Sequence, residues 1–152
     1  MRRSQITLEP IGRVRNEVKE VGRRGWREVV SELEIDSDLA PGLEGLEGFS
    51  HILVLFWMHK SLRGSNAPIM VHPQGRSELP LVGVFATRSP SRPNHLGMMV
   101  ATLLGREGNV LKVAGLDAID GTPILDIKPY LPRDSVATAI FPEWVAELDR
   151  RF

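Results

Sequence analysis

Cysteine is absent from this 152-residue sequence. Its absence removes disulfides, thiolate zinc sites, iron–sulfur clusters and cysteine nucleophiles together. It also fits a reducing compartment, and the cytoplasm is the expected location. No apolar run approaches the ~20 residues that a membrane-spanning helix requires. The N-terminus, Met1-Arg2-Arg3-Ser4-Gln5, leads into no apolar signal region, so no membrane partner is expected. Phosphate-cradling turns are missing as well. No G-x-G-x-x-G and no G-x-x-x-x-G-K-[ST] occurs, which argues against a doubly wound dinucleotide site and a P-loop. No G-x-S-x-G elbow presents a serine nucleophile. His51, His59, His72 and His95 form no H-x-x-x-H pair and no tight cluster with aspartate, so no metal is expected. Net charge is absent too: 19 basic residues balance 19 acidic ones. That excludes nucleic-acid binding by bulk charge alone.

The zero is a sum of unequal blocks. Residues 1–27 carry eight basic and three acidic side chains, and residues 28–59 carry seven acidic and no basic ones. Residues 60–106 carry six basic and one acidic side chain, and residues 107–152 five basic and eight acidic. A fold that joins the first and third blocks has the means to make a basic face on a neutral protein.

Eleven prolines and fourteen glycines break the chain often, so long helices are not expected. Ile6–Arg15 reads as a strand interrupted at Pro10. In Arg27–Ile35, Val29, Leu33 and Ile35 share one face while Glu28, Glu32 and Glu34 share the other, the pattern of a half-buried strand. Asp38-Leu39-Ala40-Pro41 starts a short helix or turn through Leu43, Leu46 and Phe49. Ile52–Met58 is continuously apolar, as a strand covered on both faces would be. Leu81–Thr87 and Val110–Leu116 read as further strands. Pro142–Leu148 reads as a C-terminal helix with proline in its first turn. No linker, repeat or low-complexity tract divides the chain, so residues 1–152 are expected to form one domain. Many short strands with Gly/Pro turns predict a mainly β fold, an antiparallel sheet or barrel.

Two segments hold residues that folding alone does not call for. Thr87–Gly97 contains two prolines together with Ser and Asn, which makes a stiff loop. Arg88 and Arg92 project from it, and guanidinium forks suit carboxylate or phosphate. Gly115–Tyr130 is the second. Asp117 and Asp120 bracket a turn closed by Gly121-Thr122-Pro123. Asp126 and Lys128 alternate with Leu125 and Ile127, which sets a carboxylate and an ammonium on one face of an extended segment ending in Pro129-Tyr130.

Four motifs then resemble one family in order and spacing. They are Gly48-Phe49-Ser50-His51, Gly83–Asn94, Asp117–Pro123 and Asp126–Tyr130. The chain resembles the TrmO (YaeB-like, TsaA-like) methyltransferases from about Ile11 to Pro132. The resemblance implies a single-sheeted antiparallel β-barrel with short peripheral helices, S-adenosylmethionine as cofactor, a homodimer, and tRNA as substrate. It implies methylation of N6 in threonylcarbamoyl-adenosine beside the anticodon. An acceptor among small molecules or other RNAs, or a non-catalytic module that senses the cofactor or binds RNA, are the alternatives. Residue by residue, His59 and Lys60, Arg88, Met98, and the turn Asp117, Ala118, Ile119 and Asp120 match the family's cofactor-binding positions. Arg88 or Lys60 suits the cofactor carboxylate, an aspartate the ribose hydroxyls, and Met98 the adenine slot. The attacked nitrogen is urea-like, so a carboxylate that accepts its proton would help. Asp126 is the first candidate and Asp120 the second, with Lys128 and Tyr130 orienting the modified base. Arg63, Arg92 and Asn94 are the candidates for contact with RNA. Where better-known bacterial members have a proline-arginine-glutamine stretch, this chain reads Val21-Gly22-Arg23-Arg24-Gly25-Trp26-Arg27. Longer members carry a C-terminal domain, and the chain is expected to be a short form without it.

Overall fold

The computed structural model describes residues 5–22, 25–61 and 67–149. Eight strands occur among them: β1 (Gly12–Arg15), β2 (Val30–Ile35), β3 (His51–Trp57), β4 (Met70–Val71), β5 (Val82–Gly83), β6 (Leu96–Glu107), β7 (Val110–Ala114) and β8 (Pro123–Pro129). A single turn of α-helix, α1 (Val145–Asp149), lies near the C-terminus. Six strands close a barrel in the order β1-β2-β7-β6-β3-β8, every pairing antiparallel. β4 and β5 form a separate two-stranded sheet. The expected mainly β barrel with short helices is the fold observed.

The inward residues follow from strand periodicity. Val14, Leu33, Ile35, Ile52, Val54, Phe56, Ala101, Leu111, Val113 and Ile124 fill the barrel. Alternate positions on each strand point out. β8 breaks this rule in a useful way. Its register slips between Leu55 and Phe56 of β3, which face Asp126 and Ile124. Leu125 is the extra residue of a bulge. The bulge lets Ile124 and Ile127 both reach the core, three residues apart, and turns Asp126 and Lys128 out together.

Three expected elements differ from the structure. Leu81–Thr87 is not one strand: β5 ends at Gly83 and a 3-10 turn takes Val84–Ala86. The N–H and hydroxyl of Thr87 both donate to the Val84 carbonyl, at 3.1 and 2.8 Å, and close that turn. Ile6–Arg15 pairs only over Gly12–Arg15. β6, the longest strand, was not expected. The half-buried strand of residues 27–35 forms as β2 from Val30, with a 3-10 turn before it.

Candidate functional site

The antiparallel order carries four loops to one end of the barrel. They follow β1 (16–20), follow β3 (58–60), lead into β6 (94–96), and join β7 to β8 (115–122). Direct bonds tie them. Lys60 Nζ donates to the Lys19 carbonyl and lies 3.4 Å from Glu20 Oε1. Met58 N–H donates to the His95 carbonyl at 2.8 Å, and the Trp57 and His95 rings pack with centroids 5.6 Å apart. Asp117 N–H donates to Met99 Sδ at 3.3 Å. Leu116 and Ala118 plug the barrel from this end, and Ile119 joins Val18, Trp26 and Val29 in a small cluster outside it.

The two aspartates of the 117–120 turn have opposite surroundings. Asp117 has an open edge to solvent but is crowded by the turn, and that desolvation raises its carboxyl above the ordinary range. Asp120 accepts from Lys19 Nζ at 2.7 Å and from the Asn16 N–H at 3.1 Å. Those bonds, Lys19 first, hold its carboxyl below the ordinary range. Its oxygens serve the fold and face an open concavity of about 530 Å³ with Arg15, Lys19, Glu32 and Lys112. Ala118 and Ile119 are buried, so only their backbone is available to a ligand.

The remaining sequence candidates fall into two groups. Met98 points outward, half exposed, and shares the outer wall with Leu55 and Asp126 in one cross-strand row. Lys128 Nζ pairs with Asp126 Oδ2 at 2.6 Å, and Asp126 Oδ1 accepts its neighbour's Ile127 N–H at 2.9 Å. Tyr130 lies at the far end of this wall, its ring 6.3 Å from that of His51. The six-residue rise from His51 to Trp57 sets it about 20 Å from the His59–Lys60 end. The second group is the stiff loop. Thr87 and Ser89 hydroxyls accept from the N–H groups of Ser89 and Ser91, both at 3.2 Å. The Arg92 guanidinium donates to the Thr87 and Ser89 carbonyls at 3.1 and 3.2 Å, so it staples the loop from within. Arg88 and Asn94 are exposed, and Arg88 has no partner among the described residues. Arg63 lies outside the described residues. The basic blocks do meet, at Lys19 and Lys60, but carboxylates accompany them: Arg13 and Arg15 pair with Glu34, Lys19 with Asp120 and Lys60 with Glu20. Sequence reasoning missed Asn16 and the Trp57–His95 pair. An Asn directly after a strand is the only signal Asn16 offers.

Among the described residues no group of three or more His, Asp or Glu could hold a metal ion. None of their helices is long and apolar enough to cross a membrane.

The sequence profile of the tRNA-methyltransferase O N-terminal domain matches residues 19–135. The chain belongs to this family. A member in Archaeoglobus fulgidus, an "S-adenosyl-L-methionine-binding protein", is 45% identical over 131 residues, 84% of this chain and 91% of that protein. The Escherichia coli K12 "tRNA (adenine(37)-N6)-methyltransferase" is 42% identical over 99 residues, 61% of this chain and 41% of its own length. The crystal structure of TrmO from Pseudomonas aeruginosa superposes with a TM-score of 0.72 at 36% identity, over 90% of this chain and 61% of that one. The chain thus spans less than half the length of the longer curated relatives it matches.

Proposed function

We propose that this chain binds S-adenosylmethionine beside the 117–120 turn and methylates N6 of a tRNA adenosine, threonylcarbamoyl-adenosine next to the anticodon. The carrying observation is that the 117–120 turn and the 58–60 segment come to one barrel end beside the outer wall that holds Met98 and Asp126, with Asp117 open to solvent there. The chemistry of these groups fits the cofactor. Arg88 offers a fork to its carboxylate, Asp117 an acceptor to hydroxyls or a cationic centre, and Leu96 and Met98 apolar surface. When bound, the cofactor supplies a methyl group on a sulfonium. Holding the acceptor in line supplies much of the rate. Asp126 accepts the proton from the attacked nitrogen. Lys128 holds that carboxylate in place through the ion pair, and Tyr130, further along the wall, orients the modified base.

The outer wall also supports a homodimer. Leu53, Leu55, Trp57, Leu96, Met98 and Val100 make one apolar face beside Asp126, the kind of surface that a second subunit covers. A cytoplasmic location follows from a tRNA substrate. The test is methyl incorporation into tRNA with and without the threonylcarbamoyl group, followed by nucleoside analysis. Product only on the modified tRNA is expected; no incorporation into either rules the reading out. Asp126→Asn is expected to lose at least ~100-fold in single-turnover rate at saturating cofactor, the usual scale of general-base catalysis. Full activity in that variant removes Asp126 from the mechanism. A small-molecule acceptor is the second reading, favoured by the carboxylates that accompany the basic end. A binding constant for tRNA that is independent of salt decides for it.

A further inference from the structure

We propose that Asn16 is a positioning residue that aims a backbone donor of the 117–120 turn at the adenosine part of the cofactor. The inference rests on the reading of that turn as the cofactor site. Asn16 follows β1 and uses every polar atom of its side chain. Nδ2 donates to Ser31 Oγ at 2.9 Å and to the Ala118 carbonyl at 2.8 Å, and Oδ1 accepts from the Val18 N–H at 3.0 Å. Its own N–H donates to Asp120. Ser31 is buried inside β2, so the amide is braced on a rigid strand.

The bond to Ala118 has a geometric consequence. The Ala118 carbonyl and the Ile119 N–H belong to one planar trans peptide, in which they point in opposite directions. Fixing the carbonyl toward Asn16 therefore aims the N–H away from it. The Ile119 N–H has no partner among the described residues, and a desolvated amide without a partner is costly. A ring nitrogen or ribose hydroxyl of adenosine is the acceptor it suits. Backbone bonds hold the peptides on either side, Ala118 N–H to the Leu116 carbonyl and Asp120 N–H to the Val18 carbonyl, but among the described residues only Asn16 holds the Ala118–Ile119 plane itself. Aspartate at position 16 would keep the acceptor for Val18 and lose both donors. No other residue type supplies two donors and one acceptor at this length.

The experiment measures S-adenosylhomocysteine binding by calorimetry and by amide NMR, on wild type and on Asn16→Asp. The expected result is a downfield shift of the wild-type Ile119 amide on binding. In folded Asn16→Asp the affinity is expected to fall at least tenfold, with a smaller Ile119 shift, at a temperature well below its unfolding midpoint. A merely structural role would lower that midpoint and leave affinity and shift unchanged. An Ile119 amide that moves in wild type with an Asn16→Asp affinity within twofold overturns the proposal and leaves the site reading standing. Binding that moves no amide from 117 to 120, or no binding by wild type, overturns the site reading and the proposal with it. Should Asn16→Asp fail to fold, Asn16→Ser carries the same outcomes, since its hydroxyl still accepts from Val18 but cannot reach Ala118.

Discussion

Asp117 and Asp120 share one turn yet pull in opposite directions on stability. The folded pKa of Asp117 lies above its ordinary value of 3.8 because protein crowds it. Ionising it therefore costs stability as pH rises past 3.8 and through the folded pKa, and costs nothing in stronger acid, where both states are protonated. Asp117→Asn is expected to raise the urea midpoint at pH 7 and to leave it unchanged at pH 3, while weakening cofactor binding. Urea titrations at the two pH values check this, and equal effects at both would refute it. Asp120 has the reverse sign: its lowered pKa stabilises the fold above 3.8, and that contribution fades as acid protonates it. A turn that keeps one desolvated but open carboxylate beside one clamped carboxylate is built like a site, where stability is given up for function. The sequence displays both aspartates and their spacing. It does not display which one Lys19 reaches, because that depends on a loop about a hundred residues away.

Two barrel glycines sit where a neighbouring strand approaches closely, one through its backbone and one through a side chain. A methyl at Gly12 would fall against the Glu34 carbonyl oxygen and 2.8 Å from Ile35 Cα. At Gly97 it would fall 2.5 Å from Cζ of the buried Phe56 ring. The Gly12 obstacle is backbone of a paired strand and cannot yield. The Phe56 ring can turn within the core. Gly12→Ala is therefore expected to cost about 3 kcal/mol and Gly97→Ala about 1 kcal/mol, the two ends of the overpacking range. Urea midpoints at unchanged slope measure both, and an equal or reversed order would be inconsistent with this account. Elements were legible where one face was polar. β2 alternates Glu with Leu and Ile, and β7 sets Lys112 among Leu111 and Val113, so both read as strands. β6 has no such alternation: Met98, Val100 and Leu104 face out while Met99, Ala101 and Leu103 face in, and Met and Leu are good helix formers. Its apolar outer side, which hid it from periodicity, belongs to the wall proposed to meet a second subunit.

The whole barrel has two different outsides. The β1–β2–β7 wall is charged, with Arg13 beside Glu34 and with Arg15, Glu32 and Lys112 in one cross-strand row. The β3–β6–β8 wall is apolar, with Leu53, Leu55, Trp57, Met98 and Val100. Water is the natural neighbour of the first, and the second is the kind of surface that the proposed second subunit would cover. The contrast explains why Ile52–Met58 is continuously apolar although only its inner face is fully buried in the single chain. Val100, 40% exposed, lies away from the core. A glutamate there disturbs nothing inside the barrel and places a charge in the middle of the apolar wall, where a partner would have to desolvate it. Sedimentation is expected to give a dimer for wild type and a monomer for Val100→Glu at the same micromolar concentration. The wild-type unfolding midpoint should rise with protein concentration, because association stabilises the folded state by mass action. In Val100→Glu that dependence should vanish. A wild type that sediments as a monomer, or a variant that remains a dimer, would show that this wall faces solvent and that the site is complete within one chain.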